Sequence, residues 1–243
     1  MKSLMFTDEK GKRVATWNPM IGCDFYCSFC WARRLAEKYR RQGKKNYEDG
    51  FQPRFIEERL KSIPKAEVVF PVSMGDWMSP SFSDEQILRV IRAMRLRPET
   101  TFMTFTKNPS RLLDFLGVIP RNVILGATIL TDDDELFMRY SKAPPPSMSL
   151  MAMRQIRFIK KAISIEPILK FSETFLFWIK NALRDQPAGY KPIIYVGMDN
   201  YPSLNKLEEP PKEKVLWLIS NLKDMGFDVR VKTIRKAWWE ELE

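Results

Sequence analysis

The chain holds three cysteines, Cys23, Cys27 and Cys30, and all of them fall inside one stretch, CDFYCSFCWA, that begins at residue 23. Their spacing, Cys-x3-Cys-x2-Cys, reads as a ligand set. A disulfide would leave one thiol over, and the charged start MKSLMFTDEKGKR has no apolar segment of signal-peptide length, so a reducing cytoplasm is expected. Structural zinc calls for four closed Cys or His ligands, and the sequence has no histidine. A zinc ion completed by a carboxylate or water, and three buried unligated thiols, stand as competing readings. The reading that uses every sulfur is an iron–sulfur cluster, because two short gaps in one loop let the backbone curl until three thiolates reach three corners of a cube. With no fourth cysteine, one iron would stay open to an outside ligand, which implies chemistry rather than plain electron transfer. The lack of histidine also removes Ser-His-Asp and Cys-His nucleophiles, so any acid or base must be Asp, Glu, Lys, Tyr or Cys.

With Phe29 before the last cysteine and Trp31-Ala32-Arg33 after it, this loop resembles the cluster loop of radical S-adenosylmethionine (radical SAM) enzymes. TWNPMIGC (16–23), VSMGDWMSP (72–80), TFMTFTKNPSRL (101–112), NVILGATI (122–129), ISIEPIL (163–169), IIYVG (193–197) and VRVKT (229–233) follow in an order similar to that of a phage-type family of uncharacterised radical SAM-like proteins. They are similar, more distantly, to the spore photoproduct lyase group. The resemblance spans nearly the whole chain. It implies a 4Fe–4S cluster on Cys23, Cys27 and Cys30, with SAM as the ligand of the open iron, and a flavodoxin- or ferredoxin-like electron donor.

Positioning such a loop takes a sheet. Short runs rich in Val, Ile, Phe and Thr alternate with segments of helical period, the signature of a parallel α/β fold. Strands are predicted near 15–21, 67–73, 101–106, 122–127, 157–165, 192–197 and 227–233. Helices are predicted over 31–42, 55–61, 108–116, 132–140, 172–185 and 211–225. One more starts at Ser83, where Gln86 completes a capping box and Ile87, Val90, Ile91 and Met94 form the apolar stripe. APPPSMS (143–149) reads as a surface loop. The pattern alone fits a partial barrel or a doubly wound sheet; the resemblance implies a partial (β/α)6 barrel, a single domain over 1–243 with its core at about 14–236. Either way the site belongs to the loops after the strand C-termini, where the cysteines lie.

Other strand ends carry polar residues. By the resemblance, SMGDW binds the amino group of SAM, with Ser73, Gly75 and Asp76 as candidates in place of a double-glycine-plus-glutamate pattern; a helix-leading turn at Gly75 is the structural alternative. Lys107 follows the third strand, where it reaches the SAM carboxylate, a substrate phosphate or only water. The resemblance gives Thr128 the ribose or carboxylate of SAM. Glu166 ends an otherwise apolar strand, where burial demands a partner and favours a site role. Asp199 and Asn200 stand where the phage-type family has glycine and glutamate, and mark candidate substrate contacts. Arg230 and Lys232 alternate around Val231, so one faces inward, or both line a polar edge. Trp17 either stacks on a base or packs the barrel. The pair Trp238-Trp239 is expected to pack on the barrel or a partner.

The net charge is +10, which concentrates polyanions and makes nucleic acid the favoured macromolecular partner. The basic blocks are RRLAEKYRRQGKK (33–45), MRQIRFIKK (153–161) and RVKTIRK (230–236), and solvated helix faces account for them equally well. No run of 18 apolar residues occurs, so no membrane association is expected. The leading expectation is a radical SAM enzyme acting on nucleic acid, a tRNA base or a DNA lesion. The alternatives are a small-molecule or peptide substrate, and a non-catalytic module in which the cluster or zinc only locks the loop.

Overall fold

The structure, a computed structural model, describes residues 14–231. β1 (Ala15–Trp17) opens the main sheet, and β2 (Met20–Ile21) leaves it to pair antiparallel with β3 (Arg54–Phe55). The single strand expected over 15–21 is thus two. Pro19, which has no N–H to give a ladder, sits at the break. Between them come the cysteine loop and α1 (Trp31–Arg41). A 3-10 helix (Glu57–Lys61) leads to β4 (Val68–Pro71) and α2 (Asp84–Arg95). β5 (Thr101–Thr106) is followed by a second 3-10 helix (Pro109–Val118), then β6 (Val123–Thr128), α3 (Asp134–Met138) and α4 (Pro146–Gln155). β7 (Lys161–Ile165), α5 (Thr174–Ala182), β8 (Ile193–Val196), α6 (Pro202–Asn205), α7 (Lys212–Asp224) and β9 (Asp228–Val231) complete the order.

Seven strands pair in parallel in the order β1-β4-β5-β6-β7-β8-β9 and curl into a half-barrel, six βα units and a last strand. α2 forms as its sequence dictates: Ser83 and Gln86 make the reciprocal capping box, and Ile87, Val90, Ile91 and Met94 are wholly buried. The stretch 143–149 is not the expected loop alone. Pro146, with its preset φ and no N–H to satisfy, starts α4, so β7 begins only at Lys161 rather than at 157. The segments 55–61 and 108–116 are 3-10 rather than α-helical. Lys232 and Trp238-Trp239 lie outside the described residues.

Strand alternation divides the core. Trp17, Phe102, Leu125, Ile163, Ile194 and their neighbours face the helices. Val14, Phe70, Met103, Phe105, Ile124, Ala162, Ile193 and Tyr195 fill the concave side. There the Phe105 ring meets those of Phe70 and Tyr195 edge-on, each with centroids 6.0 Å away. No helix among the described residues is long and apolar enough to cross a membrane.

Candidate functional site

The cysteine loop is clamped between the segment that follows β4 and the loop that joins α3 to α4. Gly22 bridges to Gly75, its N–H donating to the Met74 carbonyl at 2.9 Å. A Cβ on Gly75 would stand 2.5 Å from the Gly22 carbonyl oxygen, so glycine is required for the approach. Asp24 accepts hydrogen bonds from the Ser79 hydroxyl (2.5 Å), the Ser81 hydroxyl (2.8 Å) and the Ser81 N–H (3.0 Å). On the other flank Ser28 N–H donates to the Tyr140 carbonyl and Lys142 N–H to that of Phe25.

Each sulfur has its own polar neighbour. Phe25 N–H donates to Cys23 Sγ at 3.3 Å, and Arg33 N–H to Cys30 Sγ at 3.3 Å, where Cys30 caps the N-terminus of α1. Cys27 Sγ lies 3.2 Å from the Ser141 hydroxyl. None is in a disulfide. Burial pushes the Cys23 thiol well up, with the Asp76 charge adding to it, and burial also raises Cys30 against the pull of its Arg33 N–H. Burial thus favours the protonated form of Cys23 and Cys30, and a cation that replaces the proton favours the thiolate. Lys107 is half-buried beside them. Burial opposes its charge, but Cys27, Asp76, Cys30 and Cys23, as anions, outweigh burial and raise its pKa above the ordinary lysine value.

A cluster suits this donor set. Three soft sulfurs, each with an N–H or O–H donor that stabilises thiolate, lie beside one half-buried ammonium. Among the described residues no three Cys, Asp or Glu converge as the shell of a single metal ion.

The remaining sequence-predicted residues divide. Asp76 is buried and spends its oxygens on protein donors: the Thr106 hydroxyl (2.6 Å) and Met78 N–H (3.0 Å) on Oδ1, and Lys107 N–H (2.8 Å) on Oδ2. Its carboxyl is raised by burial despite those bonds. It thus fixes the backbone that carries Lys107. Ser73 donates to Asn18 Oδ1 at 3.2 Å, on a groove flanking the loop. Trp17 is buried against Phe102, its indole N–H on the Arg59 carbonyl, so it packs the barrel.

The register sets Thr128, Ser164, Tyr195 and Arg230 side by side on four neighbouring strands. Alternation points this row, like Ala162 and Ile193 one step below, to the concave side. Arg230 donates to the Tyr195 hydroxyl at 3.4 Å and pairs with Asp228 at 2.6 Å. Glu166 is half-buried just past the end of β7. Asp199, buried past β8, accepts from Tyr201 N–H and from Asn205, whose side-chain oxygen is bonded by Arg34 of α1. The buried Oδ1 of Asn200 has no hydrogen-bond partner among the described residues.

Sequence reading missed Asn18, Ser141, Ser164 and Tyr195. Counting back by two from Glu166 would have placed Ser164 on the same face. Ser141 meets Cys27 across 114 positions of sequence, and no local signal marks it.

A parallel half-barrel with its three-cysteine loop at the C-terminal mouth is the radical SAM fold. Solved structures of similar fold include a mutant of spore photoproduct lyase complexed with dinucleoside spore photoproduct (TM-score 0.62, 9% identity, 95% of this chain and 79% of that one). Another is a radical SAM methyltransferase from Sphaerobacter thermophilus (TM-score 0.52, 16% identity, 90% of this chain and 66% of that one). A third is Streptococcus suis SuiB bound to precursor peptide SuiA (TM-score 0.55, 13% identity, 94% of this chain). The chain spans about half of SuiB, 51% of its length. Residues 12–179 match the family described as "Protein of unknown function (DUF5131)", and the chain belongs to that family. No curated protein matches it.

Proposed function

We propose that the protein is a radical SAM enzyme whose substrate is a nucleic acid, a modified tRNA base or a DNA lesion. The observation that carries the reading is the clamped loop that presents three thiols, that of Cys27 buried, beside Lys107 at the mouth of a radical SAM half-barrel. When bound there, a 4Fe–4S cluster with SAM on its open iron supplies a 5′-deoxyadenosyl radical after one electron from a flavodoxin- or ferredoxin-like donor. The chain's own share is holding and excluding. Cys23, Cys27 and Cys30 hold the metal, and Lys107, Thr128 and Glu166 bind the carboxylate and ribose of SAM. Ser164, Tyr195 and Arg230 orient the substrate from the concave row, and Asp199 and Asn200 contact it from the end of β8. The Phe70, Phe105 and Tyr195 rings close the floor and keep water from the radical. The charge of +10 and a fold neighbour solved with a dinucleoside support the substrate class.

The test is anaerobic reconstitution with iron and sulfide, then SAM and dithionite, with 5′-deoxyadenosine as the readout and Cys30→Ala in parallel. Wild type is expected to form the product and the variant none. A protein that loads a cluster but neither binds nor cleaves SAM overturns the proposal.

A further inference from the structure

A groove of about 790 Å3 runs beside the cysteine loop, between β1 and α1. It is in the size range of ligand sites, roughly 300–1,000 Å3. One wall is Trp31, Leu35 and Tyr39, a stripe at helical spacing on α1. Trp31 and Tyr39 offer ring surface, and Trp31 is 39% exposed. The rim carries exposed Lys44 and Lys45, with Lys44 Nζ 3.8 Å above the Tyr39 ring, and Arg59 lies in the floor with its guanidinium on the Asn18 carbonyl. The other wall is β1, which lies at one end of the sheet order, so no described strand pairs with its outer edge. The groove starts at the mouth, where Trp31 follows Cys30 and Ser73 and Asn18 meet, and descends along that edge.

Rings that stack on any base, flanked by cations that meet the backbone phosphates, are how proteins track a single strand without reading its sequence. An added peptide strand would use the β1 edge but would have no need of the cations. We infer that this groove holds the unpaired flank of the nucleic acid whose target nucleotide enters the barrel mouth. The inference rests on the nucleic-acid part of the proposed function, and it adds that the substrate is single-stranded or locally opened.

The test is fluorescence anisotropy of fluorescein-labelled ten-nucleotide oligo-dT and oligo-U, and of a ten-base-pair duplex, titrated with the full chain in its reconstituted form without SAM. Wild type is expected to bind the single strands more tightly than the duplex. Lys44→Glu/Lys45→Glu is expected to weaken that binding at least tenfold and to flatten the salt dependence by about 1.4 in slope, near 0.7 per phosphate contact. Tyr39→Leu, which keeps apolar bulk in the wall, is expected to weaken it about fivefold or more through lost stacking. Arg157→Glu, in a distant basic block, is the control and should bind as wild type does. Equal binding by all four proteins, or none by wild type, overturns the groove. Because SAM is left out, the titration reads the groove whether or not the protein cleaves SAM, and the 5′-deoxyadenosine assay judges the enzyme separately.

Discussion

Two lysines taken out of water mark the two ends of the half-barrel, and they are stabilised by opposite means. Lys107 stands past the C-terminal end of β5, its charge upheld by the thiols and by Asp76. Lys161 starts β7 at the opposite end, fully buried on the helix side of the sheet. Its ammonium lies within hydrogen-bond distance of four carbonyls and shares its three N–H among them, those of Met153 (3.1 Å), Ile156 (2.8 Å), Ala182 (2.8 Å) and Arg184 (2.6 Å). Those carbonyls belong to the C-terminal ends of α4 and α5 and the residues just past them, where helices leave acceptors unpaired and partial negative charge collects. Lys161 is a fixed pin that satisfies the protein's own backbone. Lys107 faces groups that would become strong partners on loading with the cluster proposed above. The contrast follows the rule for barrels, stability at the N-terminal end of the strands and chemistry at the C-terminal end.

Substituting each lysine by methionine should separate these roles. Lys161→Met keeps the apolar bulk but strands four buried acceptors, and is expected to cost about 3–5 kcal/mol in urea unfolding. If Lys161→Met unfolds like wild type, the pin is not a pin. The same group gives a pH signature. Burial lowers its pKa from 10.5 to about 8, with Asp185 acting against burial and Arg184 with it. Between those values the unfolded chain binds more protons than the fold, so stability attributable to Lys161 rises with pH from about 8 to 10.5 and is flat below. The gain is up to about 3 kcal/mol, and Lys161→Met should lack it when midpoints at both ends of the window are compared.

Lys107→Met should reverse the pattern. Loss of a desolvated charge and loss of its attraction to Asp76 offset each other, so apo stability is expected to move by less than about 1 kcal/mol. Formation of 5′-deoxyadenosine should fall by a factor of roughly 10 to 100, since a cation near developing charge contributes about 1.4–2.7 kcal/mol. A variant that is destabilised but fully active would make Lys107 a second pin.

The two lysines also show what the sequence could and could not reveal. Lys107 is legible because it follows a β-run and opens a polar stretch, and the cysteines are legible because their spacing is local. The capping box of α2 and the alternating strands are local too, and they appear as expected. Lys161 reads as one more charge in the basic block 153–161, yet it is buried, because only the meeting of α4 and α5 supplies its acceptors. Asp76 stands out in SMGDW as a lone carboxylate. That its oxygens face Thr106 and Lys107 N–H depends on how two strand ends come together, as does the Asp199–Asn205–Arg34 chain between β8 and α1. Local pattern encodes the elements and the cysteine spacing. The partners of those cysteines and of Lys161 come from the sheet order, which no window of sequence contains.

The smallest effect tests whether the mouth is as rigid as the pinned end. Asp24 ties the cysteine loop to the turn before α2, and its carboxyl is held below the ordinary value; burial works upward, but the bonds from Ser79 and Ser81 prevail. Its folded pKa is thus depressed, so its contribution is present above the ordinary carboxylate pKa and is lost as pH falls through the lower folded value. Asp24 is partly exposed, and solvent screens these bonds to about 1 kcal/mol in total. Asp24→Ala should therefore leave global unfolding near wild type while loosening one loop. The measurement is the rate at which reconstituted protein bleaches its visible cluster absorption under an iron chelator at neutral pH. A rate about fivefold faster than wild type is the expected result, since 1 kcal/mol corresponds to about that factor. An unchanged rate would mean that the Gly22–Gly75 bridge alone holds the loop, and that the mouth needs no more fastening than Lys161 gives the other end.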